Sequence, residues 1–218
     1  GLFEFSFLKN ILKKNFFKNT KTRSSQNISL HYDLGNDFFS TWLDKTLTYS
    51  CGIFNSSNET LEQAQINKYN KLINMVKPKK GDRVLEIGCG WGGFAEHLAN
   101  NYDIKLDCIT ISKKQYLFTQ ERIRRKGLTH KVRVKMLDYR ELKNKYDIIV
   151  SIEMIEAVGE KYLDEYFNII KDNLSPGGRS AIQAIVIKDE LYNRYRMKED
   201  FIQKYIFPGG FLPSMKSI

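Results

Sequence analysis

Residues 84–93 read VLEIGCGWGG, an apolar run that ends in an acid and passes into a loop with four glycines within six residues. Glycine permits tight turns with positive φ, and it lets a ligand approach main-chain N–H groups that a Cβ would block. The next residues, FAEHLA at 94–99, favour a helix whose N-terminus carries a partial positive charge. The stretch therefore predicts a strand, a glycine-rich loop and a helix that together bind a nucleotide cofactor.

Two classes of cofactor compete for this loop, because Gly88-x-Gly90-x-x-Gly93 also satisfies the dinucleotide fingerprint, a weak pattern on its own. Glu86 extends the loop to E-x-G-x-G-x-G, the form typical of S-adenosylmethionine-dependent methyltransferases. A dinucleotide fold would also need Asp or Glu at the end of the next strand. That predicted strand ends in Thr110. The flanking residues therefore favour S-adenosylmethionine as the cofactor.

Strands and helices alternate along the chain from residue 60 onward. Capping boxes at Thr60 and Ser112 open two helices, the first running to about Val76 and the second ended by Gly127. The later predicted elements are strands at 132–136 and 146–152, a helix at 161–173, a PGG turn at 176–178 and a strand at 180–187. This alternation predicts an α/β fold, a Rossmann-like, doubly wound and mostly parallel sheet.

Composition divides the chain at about residue 59. Residues 1–59 are basic and aromatic and are predicted to form a helical lid segment, within which residues 1–30 fit an amphipathic helix in a membrane interface. A first helix packed on the domain is the alternative for residues 1–30. Residues 60–218 are predicted to form the cofactor-binding methyltransferase domain. Because only five strands are visible, fewer than such sheets usually have, we expect the C-terminal hairpin to be missing.

Charge and apolar content narrow the class of protein. With 218 residues, of which 42% are hydrophobic, the chain suits one globular domain. Its formal net charge of +10 implies an anionic partner, either nucleic acid or an acidic membrane surface. No apolar run approaches the roughly 20 residues needed to cross a bilayer.

Cysteine spacing and the N-terminal residues bear on the compartment. Cys51, Cys89 and Cys108 are widely spaced and form no C-x-x-C pair, so neither a disulfide framework nor a metal site is expected. The apolar stretch at residues 2–8 is too short for a signal peptide and precedes its basic cluster, which is the wrong order. We therefore expect a cytoplasmic location.

Several further segments form a specific pattern when they are taken together. They are HYDLGNDFF at 31–39, TYSC at 48–51, ITIS at 109–112, EMIEAVG at 153–159 and KYIFPGG at 204–210. In this order they resemble cyclopropane-fatty-acid-phospholipid synthases and mycolic acid cyclopropane synthases, from about residue 27 to the end of the chain. The resemblance implies transfer of the methyl group of S-adenosylmethionine to a cis double bond of a phospholipid acyl chain. Loss of a proton then closes a cyclopropane ring.

The resemblance also implies the residues at the reaction centre. Glu156 and Cys51 match ligands of a bicarbonate ion that serves the family as base, and Glu156 would hold this ion through a shared proton. Ile185 matches an apolar position of the same site. Two departures matter, because Ala157 and Gln183 stand where the family commonly has histidine. Gln183 can donate a hydrogen bond to an anion but cannot relay a proton, so ring closure is in question.

For the cofactor, the resemblance implies contacts around the methionine moiety, the loop, the ribose and the adenine. They are Tyr49 and Ser50, then Glu86, Gly88, Cys89, Gly90 and Gly92, then Thr110, Ile111 and Gln115, and finally Asp138 and Tyr139. The last pair also follows a predicted strand, at the sheet edge where open α/β folds bind ligands. Aromatic residues that could stabilise a carbocation, or could equally be core, are Tyr32, Phe38, Phe39, Trp42 and Tyr49.

The implied partners are an anionic phospholipid membrane and its unsaturated acyl chains, with the protein bound at the inner face of the cell membrane. No nucleic acid is expected, and a homodimer is left open. Methyl-branched or methylene fatty acids are the alternative products. Less favoured alternatives are amine methylation, a non-catalytic membrane-binding module, and nucleic-acid methylation through a basic patch formed by Arg122, Arg124, Arg125, Lys126, Lys131 and Arg133.

Overall fold

The computed structural model describes residues 35–218, so the helix predicted within residues 1–30 and the candidate Tyr32 lie outside the described part. In chain order the elements are α1 (Asn36–Ser40), α2 (Leu61–Val76), β1 (Arg83–Ile87), α3 (Gly93–Asn101), β2 (Lys105–Thr110), α4 (Lys113–Arg125), β3 (Val132–Met136), β4 (Tyr146–Ile152), α5 (Leu163–Asn173), β5 (Leu174–Gln183) and α6 (Asp189–Tyr195). Short helical turns cover Tyr139–Glu141, Ile155–Ala157, Glu160–Tyr162 and Ile202–Ile206.

The five strands form one sheet in the order β3-β2-β1-β4-β5, and each neighbouring pair is parallel. The predicted doubly wound parallel sheet is therefore confirmed. β1 is central, and its residues from Val84 to Ile87 are buried because helices cover both faces of the sheet. One core cluster includes Val84, Tyr69 of α2 and Leu98 of α3, and the other includes Leu85 and α5 residues such as Tyr166.

Local capping sets the helix starts largely as predicted. Thr60 and Gln63 form both halves of a capping box before α2. Before α4 only one half forms, because the Ser112 hydroxyl accepts from the Gln115 N–H while the Gln115 side chain accepts from the Thr110 hydroxyl. The second capping box is therefore incomplete, since the Gln115 amide is used at the end of β2.

The fifth strand corrects the prediction of a turn at 176–178 followed by a strand at 180–187. β5 starts at Leu174 and ends at Gln183, and its register with β4 shifts between the pairs Tyr146–Leu174 and Ile148–Arg179. The Pro-Gly-Gly sequence is thus accommodated as a bulge inside the strand. Ile185, predicted to share a strand face with Gln183, lies beyond the end of the strand.

The order of the strands places a crevice at one edge of the sheet. β1 lies between β2, which leads to one side, and β4, which leads to the other, so the loops that follow β1 and β4 diverge. Such a switch point at the carboxyl ends of parallel strands is where open α/β sheets bind ligands. The glycine loop and residues 153–159 both start there.

The segment between α1 and α2 packs against this edge. The Arg122 guanidinium of α4 donates to the carbonyl oxygens of Thr46 and Lys45, and the Gln65 amide of α2 donates to the carbonyl oxygen of Ser50. The predicted domain boundary at residue 59 stays a prediction. Among residues 35–218, no helix combines the length and apolar character that a bilayer span requires.

Candidate functional site

A cavity of about 600 Å³ opens at the switch point. The predicted cofactor contacts that line it are Tyr49, Ser50, Glu86, Gly88, Cys89, Gly90, Thr110, Ile111, Gln115, Asp138 and Tyr139. Gly92 lies outside the lining. Of the predicted reaction-centre residues, Cys51, Glu156 and Ile185 line the cavity, and Gln183 reaches it by hydrogen bonds to Cys51 and Glu153. The structure thus gathers both predicted sets in one place, while their individual roles stay predictions.

The glycines of the loop serve two different purposes. Gly88, Gly90 and Gly92 all have positive φ, at 77°, 52° and 81°. A Cβ on Gly92 would lie 2.6 Å from Cγ2 of Thr119, and one on Gly88 would lie 2.9 Å from Cγ of Met154, so both allow close packing. A Cβ on Gly90 would meet nothing within 4 Å. Gly90 therefore leaves its side of the loop open to a ligand.

We expect Gly90→Ala to lower the affinity for S-adenosylhomocysteine by tenfold or more while the fold persists. The added methyl group would occupy space at the cavity that no protein atom uses, and the left-handed backbone costs alanine about 1 kcal/mol. Gly81→Ala is the matched control, because Gly81 also has positive φ and free space but lies outside the cavity lining. Titration calorimetry measures both, and equal affinities for the two variants would contradict the assignment.

Glu86 is a buried acid at the end of β1, with only 2% of its surface exposed. Burial raises the pKa of its carboxyl to about 8, although a hydrogen bond from the Cys108 thiol and the charge of Lys68 oppose the rise. The thiol sulfur lies 3.6 Å from Oε2. The acid is therefore largely neutral without ligand, and a cationic group in the cavity would stabilise its ionised form.

Lys68 of α2 is a buried cation that sequence reasoning missed. Burial lowers the pKa of its ammonium to about 8, against the opposing charges of Glu153 and other acids. Its Nζ donates to the Ser50 hydroxyl at 2.5 Å, which ties the segment 49–51 to α2. A lysine in a largely polar helix sequence is normally predicted to lie on the surface. The only sequence signal for its burial was the adjacent Tyr69.

The predicted ribose and adenine contacts occupy the far end of the cavity. The Thr110 hydroxyl donates to Gln115 Oε1 at 2.8 Å, which fixes both side chains at the end of β2. Asp138 caps the turn Tyr139–Glu141 and forms an ion pair with Arg140, with 2.6 Å between Oδ2 and Nη2. Its carboxylate is thus a loop cap as well as part of the cavity wall, and its contact with adenine stays a prediction.

S-adenosylmethionine fits this part of the cavity. The open side of Gly90 admits a ligand to the loop backbone, and the buried Glu86 can face a positively charged ammonium group. The hydroxyl and amide at Thr110 and Gln115 can bind ribose hydroxyls. The donor and acceptor types present therefore suit each portion of the molecule.

Two carboxylates stand at the other end of the cavity, on the loop that follows β4. Glu153 Oε1 accepts hydrogen bonds from the Cys51 N–H at 2.9 Å and from Gln183 Nε2 at 2.8 Å. Sequence reasoning missed Glu153. Its signal was present, because it is an acid directly after the predicted strand β4, at the sheet edge where ligands bind.

Glu156 lies three residues further along, in the turn Ile155–Ala157. Burial raises the pKa of its carboxyl to about 7, and the nearby charge of Glu153 adds to the rise. The Ile185 N–H donates to Oε1, whereas the buried Oε2 has no hydrogen-bond partner among residues 35–218. Glu156 is therefore poised to exchange a proton near neutral pH, and Ile185 contributes its backbone as well as an apolar side chain.

Bicarbonate fits these contacts poorly. The Cys51 N–H and the Gln183 amide could hold an anion, but both already donate to Glu153. The Ile185 N–H is engaged by Glu156. An added anion would also face two carboxyl groups of the chain, and like charges within a few ångströms disfavour one another.

A parallel sheet with an E-x-G-x-G-x-G loop at its switch point, beside a cavity with a buried acid, defines an S-adenosylmethionine-dependent methyltransferase. Within that class, the chain belongs to the mycolic acid cyclopropane synthetase family, whose model matches residues 19–218. The resemblance found in the sequence is thereby confirmed.

Two curated relatives are similar to this chain in sequence. The tuberculostearic acid methyltransferase UfaA1 of Mycobacterium tuberculosis is 37% identical over 206 residues, which cover 91% of this chain and 48% of that protein. The cyclopropane-fatty-acyl-phospholipid synthase of Escherichia coli K12 is 43% identical over 188 residues, which cover 86% and 47%. This chain spans about half the length of these curated relatives.

Solved structures of cyclopropane synthases resemble this chain in fold. The mycolic acid cyclopropane synthase CmaA1, in complex with SAH and CTAB, aligns with a TM-score of 0.82 and 31% identity over 88% of this chain and 71% of that one. The cyclopropane synthase MmaA2 of Mycobacterium tuberculosis aligns with a TM-score of 0.81 and 28% identity, with the same coverage.

Proposed function

We propose that this protein transfers the methyl group of S-adenosylmethionine to the cis double bond of unsaturated phospholipid acyl chains and forms cyclopropane rings. One observation carries the proposal: a single cavity joins the glycine loop, the carboxyl groups of Glu153 and Glu156, and an apolar aromatic wall. The name of the Escherichia coli relative, a cyclopropane-fatty-acyl-phospholipid synthase, supports the substrate class.

The wall of the cavity suits an acyl chain. Trp42 and Tyr49 stack edge to face with 5.2 Å between ring centroids, and Phe207 lies 6.1 Å from Tyr49. An alkene is a weak nucleophile, so the site must hold it in line and keep water from the cation that forms. Aromatic rings stabilise such a cation by about 0.5 to 2 kcal/mol each. Phe39 is only 1% exposed and belongs to the core.

When bound, S-adenosylmethionine supplies an electrophilic methyl group on a positively charged sulfur. The chain's own residues hold the two reactants: Glu86, Gly90 and Gln115 bind one end, and Trp42 and Tyr49 border the other. Ring closure also requires a group that accepts the departing proton. Glu153 and Glu156 line the cavity near the predicted reaction centre and can serve this purpose. These roles follow from position and chemistry.

A second product class is favoured by specific residues. Ala157 and Gln183 cannot relay a proton, so the cation could resolve into a methyl-branched or methylene chain. The relative UfaA1, named as a tuberculostearic acid methyltransferase, supports this alternative. Both products require the same methyl transfer to an acyl chain.

The test is analysis of lipids from cells that express the protein. A gain in mass equal to one CH2 group, together with cyclopropane proton signals in NMR spectra, would support ring formation. The same mass gain with olefinic or branched-methyl signals would support the second class. Unchanged lipids would refute both.

Membrane binding is part of the proposal, because the net charge of +10 suits an anionic lipid surface. We expect binding to vesicles that contain anionic lipid to weaken at least about tenfold between about 0.05 M and about 0.5 M salt, since screening shortens the range of the attraction. A vesicle sedimentation assay measures this, with zwitterionic vesicles as the control. If vesicle binding did not change with salt concentration, the result would contradict the electrostatic argument.

The basic patch around α4 gives little support to nucleic-acid binding. Arg122 pairs with Glu96 at 2.6 Å, and Lys126 pairs with the same carboxylate. Arg124 and Arg125 both pair with Glu121. Lys131 donates to the carbonyl oxygens of Ala99 and Tyr102. Arg122 and Lys131 therefore brace separate parts of the fold, and the pairs that Arg124 and Arg125 form within α4 lower the net charge of the patch.

A further inference from the structure

The carboxylate of Glu153 occupies the donor site that would otherwise hold a small anion. Its Oε1 accepts from the Cys51 N–H at 2.9 Å and from Gln183 Nε2 at 2.8 Å, and these three groups come from three separate parts of the chain. The same Gln183 nitrogen lies 3.2 Å from the Cys51 sulfur. Glu153 lines the cavity, and its carboxylate also interacts with the Cys51 thiol, whose pKa it helps to raise. Two donors therefore anchor this carboxylate in the wall of the cavity.

The backbone at Glu153 is held in a conformation that glycine would adopt more readily. Its φ is 47°, in the left-handed region, and its N–H donates to the Gln183 carbonyl oxygen at 2.9 Å. Strained backbone at non-glycine residues persists where the surrounding structure fixes it, and it concentrates at functional sites. The Glu153 carboxylate is thus fixed by its own backbone as well as by its two donors.

We propose that Glu153 serves as the built-in base of the reaction, so that the enzyme needs no bicarbonate. This proposal rests on the proposed function. After methyl transfer, the acyl chain carries a positive charge beside the new methyl group. The Glu153 carboxylate removes one proton from that methyl group, and the C–H electron pair forms the C–C bond that closes the ring. The proton remains on Glu153 as a carboxylic acid, so charge and atoms balance.

The surroundings keep Glu153 suited to this task. Charged and titratable groups that interact with it are Glu156, Lys68, Cys51 and Tyr49. Burial raises the pKa of Glu156 to about 7, so below that pH it adds little negative charge beside Glu153. An added anion would find the Cys51 N–H and the Gln183 amide already engaged by Glu153.

The experiment compares the protein with its Glu153→Gly variant in buffers freed of carbon dioxide and in buffers with added bicarbonate. Glycine suits the positive φ, so the variant removes the carboxylate and relieves the backbone strain. It also leaves the Cys51 and Gln183 donors free. We expect the unsubstituted enzyme to keep its rate without bicarbonate. We expect the rate of Glu153→Gly without bicarbonate to be about 100-fold lower than that of the unsubstituted enzyme. Added bicarbonate should raise the rate of the variant at least about tenfold.

A binding measurement makes the result independent of activity. Carbon-13 NMR of labelled bicarbonate should show saturable binding to Glu153→Gly and none to the unsubstituted protein, while both bind S-adenosylhomocysteine equally. Saturable bicarbonate binding to the unsubstituted protein, or loss of its activity without bicarbonate, would overturn the proposal. If neither form alters lipids, the proposed function fails, and the NMR comparison still decides whether Glu153 fills the anion site.

Discussion

Replacing Glu86 with glutamine should lower the affinity for S-adenosylhomocysteine by roughly 30- to 150-fold, because a hydrogen bond to a charged group contributes about 2 to 3 kcal/mol. The carboxyl is buried beside the glycine loop, where it can face the positively charged ammonium group of the bound cofactor. Burial raises its pKa to about 8, so binding of that cation at pH 7 must release a proton. Titration calorimetry in buffers of different ionisation enthalpy counts that proton.

The pH dependence of this affinity has a definite sign. Below the pKa of about 8 the neutral acid must first ionise, so affinity should rise with pH, by up to about tenfold per unit. The glutamine variant should show neither proton release nor this slope. Glu121→Gln is the control, since Glu121 lies outside the cavity lining. Unchanged affinity in Glu86→Gln would place the cationic group elsewhere.

The same acid makes the ligand-free protein less stable at higher pH. The folded-state pKa of Glu86 lies above its ordinary value of 4.5, so the folded state holds the proton more tightly than the unfolded state does. Stability is therefore lost as pH rises from about 4.5 to about 8. Lys68 has a lowered pKa and acts oppositely, but only between about 8 and 10.5. The melting temperature of Glu86→Gln should thus change less with pH below pH 8 than that of the unsubstituted protein.

Local chemistry made much of the fold predictable. The bounds of β3 and β4 match the predicted strands. Both are short segments with apolar residues between polar flanks, so the sequence itself marks where each strand begins and ends. Thr60 and Gln63 satisfy each other within four residues, so the start of α2 needs no tertiary information. The glycine loop follows equally from three positive φ values that only glycine adopts freely.

Features that depend on pairing between distant segments were less predictable. The Pro-Gly-Gly sequence normally indicates a turn, but pairing with β4 extends β5 through it as a bulge. Gln115 matches a capping box locally, yet the neighbouring Thr110 hydroxyl engages its side chain. In each case a partner from an adjacent strand end or strand overrides the local preference.

The location of the site could be predicted from the sequence, but several of its contacts could not. Strand ends and the glycine loop identify the edge of the sheet, so the predicted residues gather around one cavity. The contact between Cys51 and Glu153 spans 102 positions in sequence, and no periodicity in either segment indicates it. The burial of Lys68 likewise depends on how the segment 49–51 folds back over α2.

Replacing Glu156 with glutamine should reduce product formation by about 100-fold or more and leave S-adenosylhomocysteine affinity within about twofold. Burial and the charge of Glu153 raise the pKa of this carboxyl to about 7, and its Oε2 has no partner among residues 35–218. The protonated acid can share its proton with a neighbouring base, which an amide cannot do. Loss of a positioned proton donor or acceptor costs about 10² to 10⁴ in rate.

The pH profile separates this role from a structural one. We expect the rate of product formation in the unsubstituted enzyme to fall as pH rises through about 7, because Glu156 then loses the proton that it shares with a neighbouring base. The residual rate of Glu156→Gln should not fall in that range, since the amide does not titrate. Glu160→Gln is a matched control, because Glu160 pairs with Arg196 outside the cavity lining. Product at the unsubstituted level in Glu156→Gln would remove Glu156 from the reaction and leave Glu153 as the acid of that loop to be tested.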